Sequence, residues 1–208
     1  MEDKKVTYNF FHWGPFLYKT RLNKEELEKI RSLCSKDNKD VRESLAGLIN
    51  YEHEIDHKKI FPIIVPYLRS YVQAYTEHHN KPLPAKMELM SSWVNYMTKY
   101  ESNPIHTHED DLSFVIFTKI PEKLKEEYDT IVSRSKPGTI NFVYKVDDEE
   151  MSINTHSFFP TVGDFFIFPA KLNHYVNTFR SDGERVSVSG NLKLSEPERT
   201  DLNGKENV

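Results

Sequence analysis

The sequence has a single cysteine, Cys34, in 208 residues, so an internal disulfide is impossible and no thiolate cluster can hold zinc. It also lacks any apolar run near the ~20 residues that a membrane-spanning helix requires. The opening residues, MEDKKVTYNF, are charged and lack the apolar segment of a secretory signal. Neither charge sign dominates: 28 basic and 32 acidic side chains are interspersed, leaving a formal net charge of −4. A general nucleic-acid binder is therefore not expected, nor is a membrane protein. No internal repeat or low-complexity stretch is visible. Together these absences predict a cytoplasmic protein.

What is present suits one domain over residues 1–208, with 38% apolar residues to build its core. Two textures divide it. Residues 1–85 read as a helical preface. Asn23 stands at an N-cap position ahead of Glu25, Glu26 and Glu28, and Leu27, Ile30, Leu33 and Cys34 recur at helical spacing. A second helix is predicted over Lys58 to His79, with Ile60, Ile63, Ile64, Tyr67, Leu68, Tyr71 and Tyr75 on one side. Pro62 and Pro66 predict a late start or a kink. Residues 86–194 read as strands, at Glu88–Met97, Leu112–Ile120, Thr139–Val146, Gly163–Pro169, His174–Thr178 and Arg185–Leu194. Turns at Pro137-Gly138, Asp147-Asp148 and Ser181-Asp182-Gly183 separate them, with a short helix expected within Glu122–Ser133. Residues 195–208 form a polar tail. Helices followed by many antiparallel strands predict an α+β fold whose sheet closes as a sandwich or jelly roll.

Among nine histidines, two arrangements bear on chemistry. The string His53-Glu54-Ile55-Asp56-His57 matches H-E-x-x-H, which on a helix would present two imidazoles to zinc with Glu54 as general base and Glu77 as a further ligand. Its surroundings are charged and Pro62 follows closely, unlike a buried zinc-protease helix, so a solvated turn or helix start is the expectation. In the second, His106-Thr107-His108, the histidines share one face of a strand and can address one metal together. Oxygen-activating non-haem iron commonly takes two histidines and one carboxylate, and His108 stands where that carboxylate would be. Glu109, Asp110 and Asp111 follow directly, so Asp110 is an alternative ligand. His174 is the distant third.

The residues around these histidines resemble a family of bacterial and phage 2-oxoglutarate–Fe(II) oxygenases built on the double-stranded β-helix. That family reads N-P-x-H-x-H, then L-S, P-x-x-G, F-P, H-x-V, R-x-S and an asparagine. Here the matches are Asn103-Pro104-Ile105-His106-Thr107-His108, Leu112-Ser113, Pro160-Thr161-Val162-Gly163, Phe168-Pro169, His174-Tyr175-Val176, Arg185-Val186-Ser187 and Asn191. The resemblance spans about Trp93 to Asn191 and implies a jelly-roll, cupin-like core with the N-terminal helices packed against it. It implies Fe(II) held by His106, His108 and His174, with Arg185 and Ser187 clamping the far carboxylate of the cosubstrate 2-oxoglutarate. Asn95, eleven residues before His106, would contact the oxoacid end, although the tyrosine expected two positions later is Met97. Arg180 competes with Arg185 for the clamp but sits at a turn, where solvent is expected. Phe114 replaces the family's glycine after Leu-Ser, and Phe117 its strand tyrosine, so the substrate cannot be carried over and Phe114 is expected to crowd or reshape the pocket. The implied reaction consumes O₂ and 2-oxoglutarate, releases succinate and CO₂, and hydroxylates an unidentified substrate. The alternative is a three-histidine metal dioxygenase or metal-binding cupin-like protein that does not use 2-oxoglutarate; the Arg185–Ser187 pair would then have no carboxylate to hold.

Overall fold

In the computed structural model, which describes residues 6–12, 14–145 and 153–195, Asn23 caps the first helix, α1 (Lys24–Leu33). Its side chain accepts from the Glu26 amide at 2.9 Å, and the Glu26 carboxylate accepts from the Asn23 amide at 3.1 Å. This reciprocal box satisfies two helix-terminal donors at once. The second helix, α2 (His57–His79), is capped by Asp56 and ends at Asn80 in the left-handed conformation, φ 49°. It begins at His57 and runs through both prolines instead of starting late. Pro62 is exposed and Pro66 half-buried, on the face opposite Ile60, Ile64, Tyr67, Leu68 and Tyr71. The carbonyls that lose an i+4 donor to these prolines therefore lie away from the core, where water can reach them. Among the described residues no helix is long and apolar enough to cross a membrane.

The first 85 residues are not purely helical. β1 (Tyr8–His12) and β2 (Phe16–Arg21) form a hairpin ahead of α1, and β3 (Glu52–Glu54) precedes α2. β2 escapes a search for alternation because four of its first five residues are buried, facing both layers of the core. Eight further strands follow: β4 (Lys86–Met97), β5 (Asn103–His106), β6 (Leu112–Lys119), β7 (Ile140–Lys145), β8 (Ile153–Phe158), β9 (Asp164–Pro169), β10 (Asn173–Val176) and β11 (Arg185–Ser195), with α3 (Glu122–Thr130) between β6 and β7. β8 went unpredicted, and β5 stops at His106 where a strand through His108 was expected. β5 is four residues long and contains Pro104, which only an edge strand tolerates. The expected turn at Asp147-Asp148 and the tail beyond Ser195 lie outside the described residues.

The strands form two antiparallel sheets, β1-β2-β9-β6-β11-β4-β3 and β5-β10-β7-β8. Leu17, Phe117, Phe142, Phe166 and Phe168 fill the space between them. The outer face of the large sheet buries Tyr18, Ile116, Phe165 and Val188 against Ile64, Tyr67 and Tyr71 of α2. The architecture is α+β, a jelly-roll core with helices packed on one sheet, as the sequence predicts.

Phe114 belongs to that outer, helix-facing layer, although part of it reaches the cavity described below. Its room comes from Gly190, directly opposite on β11. A Cβ at position 190 would lie 2.5 Å from the Ser91 carbonyl oxygen and 2.6 Å from the Phe114 ring. Gly190→Ala is therefore expected to destabilise the fold by roughly 2 kcal/mol, the usual size of a core overpacking penalty. Chemical denaturation of the two proteins side by side checks this; equal midpoints would contradict it.

Candidate active site

Three imidazoles meet in the space between the sheets because strand register brings them there. His106 at the end of β5 lies directly opposite His174 on β10, and their ring centroids are 4.2 Å apart. His108 lies two residues beyond His106, and its ring is 5.0 Å from His106 and 5.2 Å from His174. One nitrogen from each ring can be chosen so that all three fall within 4.8 Å of one another, a ligand set suited to a single ion. Among the described residues no carboxylate joins this group. Glu109 is exposed, Asp110 is half-buried outside the cluster, and the Asp111 carboxylate accepts from the Leu194 amide at 2.8 Å.

The turn after β9 positions two of the three. The His108 amide donates to the Ala170 carbonyl at 2.8 Å, and the Ala170 amide donates to the Asp111 carbonyl at 3.0 Å, stitching the His108 segment to the Phe168-Pro169 turn. The same turn supplies the Leu172 carbonyl, 2.9 Å from His174 Nδ1. His106 Nδ1 is likewise 2.6 Å from the Pro104 carbonyl. A carbonyl can only accept, so both Nδ1 atoms carry the proton and both Nε2 lone pairs are left for a metal. Burial, reinforced by the neighbouring histidines, holds His174 down to about 3 and His108 down to about 4, and burial lowers His106 as well. All three are neutral at pH 7.

Arg185 lines the same cavity as these histidines, together with Asn95, Asn103, Ser187 and Trp93. It is 2% exposed, and its Nε and Nη2 are buried without a hydrogen-bond partner. Its guanidinium stacks 4.7 Å from the centre of the Phe117 ring. Burial with no anion beside it lowers Arg185 to about 9, which leaves it charged at pH 7. A buried, unpaired guanidinium is costly, and a carboxylate offering two parallel acceptors would satisfy it. Ser187, two residues along β11, and Asn95, its partner on β4, share the inward face, and the Asn95 amide oxygen is also without a partner. Metal donors at one place and unmet polar groups around Arg185 fit a ligand that is both a metal chelator and a carboxylate. Arg180, by contrast, is exposed.

Residues 91–191 match the family described as "Putative 2OG-Fe(II) oxygenase". Those residues belong to that family. The matched segment, just under half of the chain, contains the three histidines, Arg185, Ser187, Asn95 and every other cavity-lining residue except Ile49. No curated protein matches the sequence. Among solved structures, a Pseudomonas putida prolyl-4-hydroxylase superposes with TM-score 0.56 at 11% identity, over 87% of this chain and 92% of its own. HygX from Streptomyces hygroscopicus, solved with nickel and 2-oxoglutarate bound, gives 0.55 at 12% identity over 92% and 91%. The viral collagen prolyl hydroxylase of Paramecium Bursaria Chlorella virus-1, in complex with 2-oxoglutarate, gives 0.53 at 12% over 88% and 97%. At these identities the likeness establishes the fold of the oxygenase, and the family match carries its cofactors, Fe(II) and 2-oxoglutarate.

The H-E-x-x-H string forms no zinc helix in the oxygenase. His53 and Glu54 lie on β3, Asp56 caps α2, and His57 is its first residue. His53 Nδ1 is 2.9 Å from the Asn38 carbonyl. Cys34 is free, and burial pushes its thiol up to about 12, so it offers no thiolate. Several cavity residues went unassigned in the sequence, Trp93 and Asn103 among them. Trp93 stands 5.8 Å from the His108 ring, and the Asn103 amide oxygen is buried without a partner. Asn103 opens the N-P-x-H-x-H string, which was a signal; Trp93 had none beyond its place at the edge of the resemblance. The closing Asn191 binds its neighbours, accepting from Ser113 Oγ at 2.8 Å and donating to Ser91 Oγ at 3.1 Å. It ties β6, β11 and β4 together beside the site.

Glu52 on β3 pairs with Asn95 and is 1% exposed, with Oε2 lacking a partner. Burial, then repulsion from Glu101, raises it from 4.5 to about 7. The folded state thus holds a proton that the unfolded chain releases above pH 4.5, and stability falls as pH rises from about 4.5 through about 7. The loss amounts to roughly 2 kcal/mol after allowance for solvent screening. Glu52→Gln should flatten the melting temperature across that window; a slope unchanged from wild type would contradict the assignment.

Proposed function

We propose that His106, His108 and His174 hold Fe(II), that Arg185 and Ser187 bind the far carboxylate of 2-oxoglutarate with Asn95 at its oxoacid end, and that the oxygenase hydroxylates a substrate still to be identified. The observation that carries this reading is the buried, unpartnered guanidinium of Arg185 in the cavity of the three histidines. It also disfavours a three-histidine dioxygenase without 2-oxoglutarate, which has no use for a carboxylate clamp there. Bound together, Fe(II) and 2-oxoglutarate supply an oxidant from O₂, with release of succinate and CO₂. The protein orients and encloses. Pro104 and Leu172 hold two imidazoles in the ligating tautomer, Arg185 fixes the cosubstrate's register, and Trp93, Ile140, Phe168 and Val176 exclude water from the cavity.

The same proposal takes residues 1–208 as one domain, supported by α1 and α2 packing on the large sheet, and places it in the cytoplasm, consistent with its single free cysteine. Its partners are 2-oxoglutarate, O₂ and the substrate. The reading is tested by incubating purified protein with Fe(II), 2-oxoglutarate and O₂ and measuring succinate. Slow formation that ceases when iron is chelated supports it. If no succinate forms even across a broad panel of substrates, the reading fails.

A further inference from the structure

We infer that the metal and the dicarboxylate enter this site as a coupled pair, each strongly raising the other's affinity, because no anionic side chain among the described residues lines the cavity. The inference rests on the proposed function and concerns what His108 does to it. Among the described residues, those lining the cavity, Ile49 and Met97 included, contain no aspartate or glutamate, and Arg185 is the only charged one. Of the described buried acids, none of Glu52, Glu101 and Asp164 lines it. Glu101 is already occupied, accepting from the Asn50 and Thr98 amides. Where iron is held by two histidines and a carboxylate, the protein itself supplies one negative charge to the ion. Here a divalent cation meets three neutral imidazoles and a buried guanidinium, so three positive charges share a low-dielectric space with no counter-charge among the described residues that line it.

A 2-oxoglutarate dianion removes most of that imbalance, with one carboxylate for the metal and the other for Arg185. The metal alone binds against the field of Arg185, and the dianion alone leaves one of its ends without a partner. Thermodynamic linkage then requires that each ligand tighten the other by the same factor. A chelating cosubstrate couples to any metal to some degree, so the size of the effect at His108 is the diagnostic. His108→Asp places a charge on the ion and should strengthen binding of metal alone while reducing the coupling; His108→Asn, without charge, should not.

The test uses Mn(II) as a redox-stable probe, its free concentration followed by electron paramagnetic resonance with and without saturating 2-oxoglutarate. Wild type should bind Mn(II) at least ~30-fold more tightly with the dianion, and calorimetry of 2-oxoglutarate with and without Mn(II) should return the same factor. In His108→Asp, Mn(II) alone should bind about tenfold more tightly and the coupling should drop below ~5-fold. Wild-type affinities that agree within twofold with and without the dianion overturn the inference and leave the proposed function intact. So does wild-type coupling in a folded His108→Asp protein. No Mn(II) binding under either condition sinks the proposed function itself.

Discussion

His174→Ala is expected to abolish metal uptake and to lower 2-oxoglutarate turnover by roughly three orders of magnitude. Losing a residue that merely orients a metal ligand typically costs 10–100-fold, and His174 is proposed as a ligand itself. It is also the most buried of the three, in contact with Phe142 and Phe168 at ring separations of 6.2 and 4.8 Å. The alanine variant therefore also loses packing, on the order of 2–3 kcal/mol. Metal content by mass spectrometry, together with a melting curve, separates the two effects. A protein that melts cooperatively yet holds no metal fits the prediction. A folded variant that retains stoichiometric metal would remove His174 from the ligand set.

Arg185→Leu is expected to act in opposite directions on cosubstrate and on stability. Two charge-assisted hydrogen bonds to a carboxylate are together worth about 3 kcal/mol, so the 2-oxoglutarate concentration needed for half-saturation should rise ~100-fold. The protein without ligand should nonetheless be as stable as wild type or more so. Leucine removes two buried, unpaired nitrogens and forfeits the guanidinium's contact with Phe117. A structural arginine would behave differently: its loss would lower the melting temperature and leave cosubstrate demand unchanged. Arg185→Lys should rescue little, since an ammonium cannot offer the planar pair of donors.

The site was legible where its logic lies in spacing along one strand. Spacing of two residues already puts Arg185 and Ser187 on one inward face, whereas the opposition of His106 to His174 and of Asn95 to Ser187 was legible only through the family resemblance. The caps were legible too, since Asn23 and Glu26 interact over three residues. β2 was not, because burial on both sides erases alternation, and β3 is too short to show any. The place of Phe114 could not be read from Phe114 alone. It depends on Gly190, 76 positions on, being opposite it in the sheet. Trp93 likewise reaches the cavity only through the pairing of β4 with β11. Such long-range pairings are set by the closed sheet and not by local sequence.

The most direct test of the central claim is an anaerobic titration of the Fe(II)-loaded protein with 2-oxoglutarate, followed by visible absorption. The account predicts a saturable charge-transfer band of the iron chelate, absent in His174→Ala and requiring far more 2-oxoglutarate in Arg185→Leu. Iron binding with no such band at any 2-oxoglutarate concentration would contradict it.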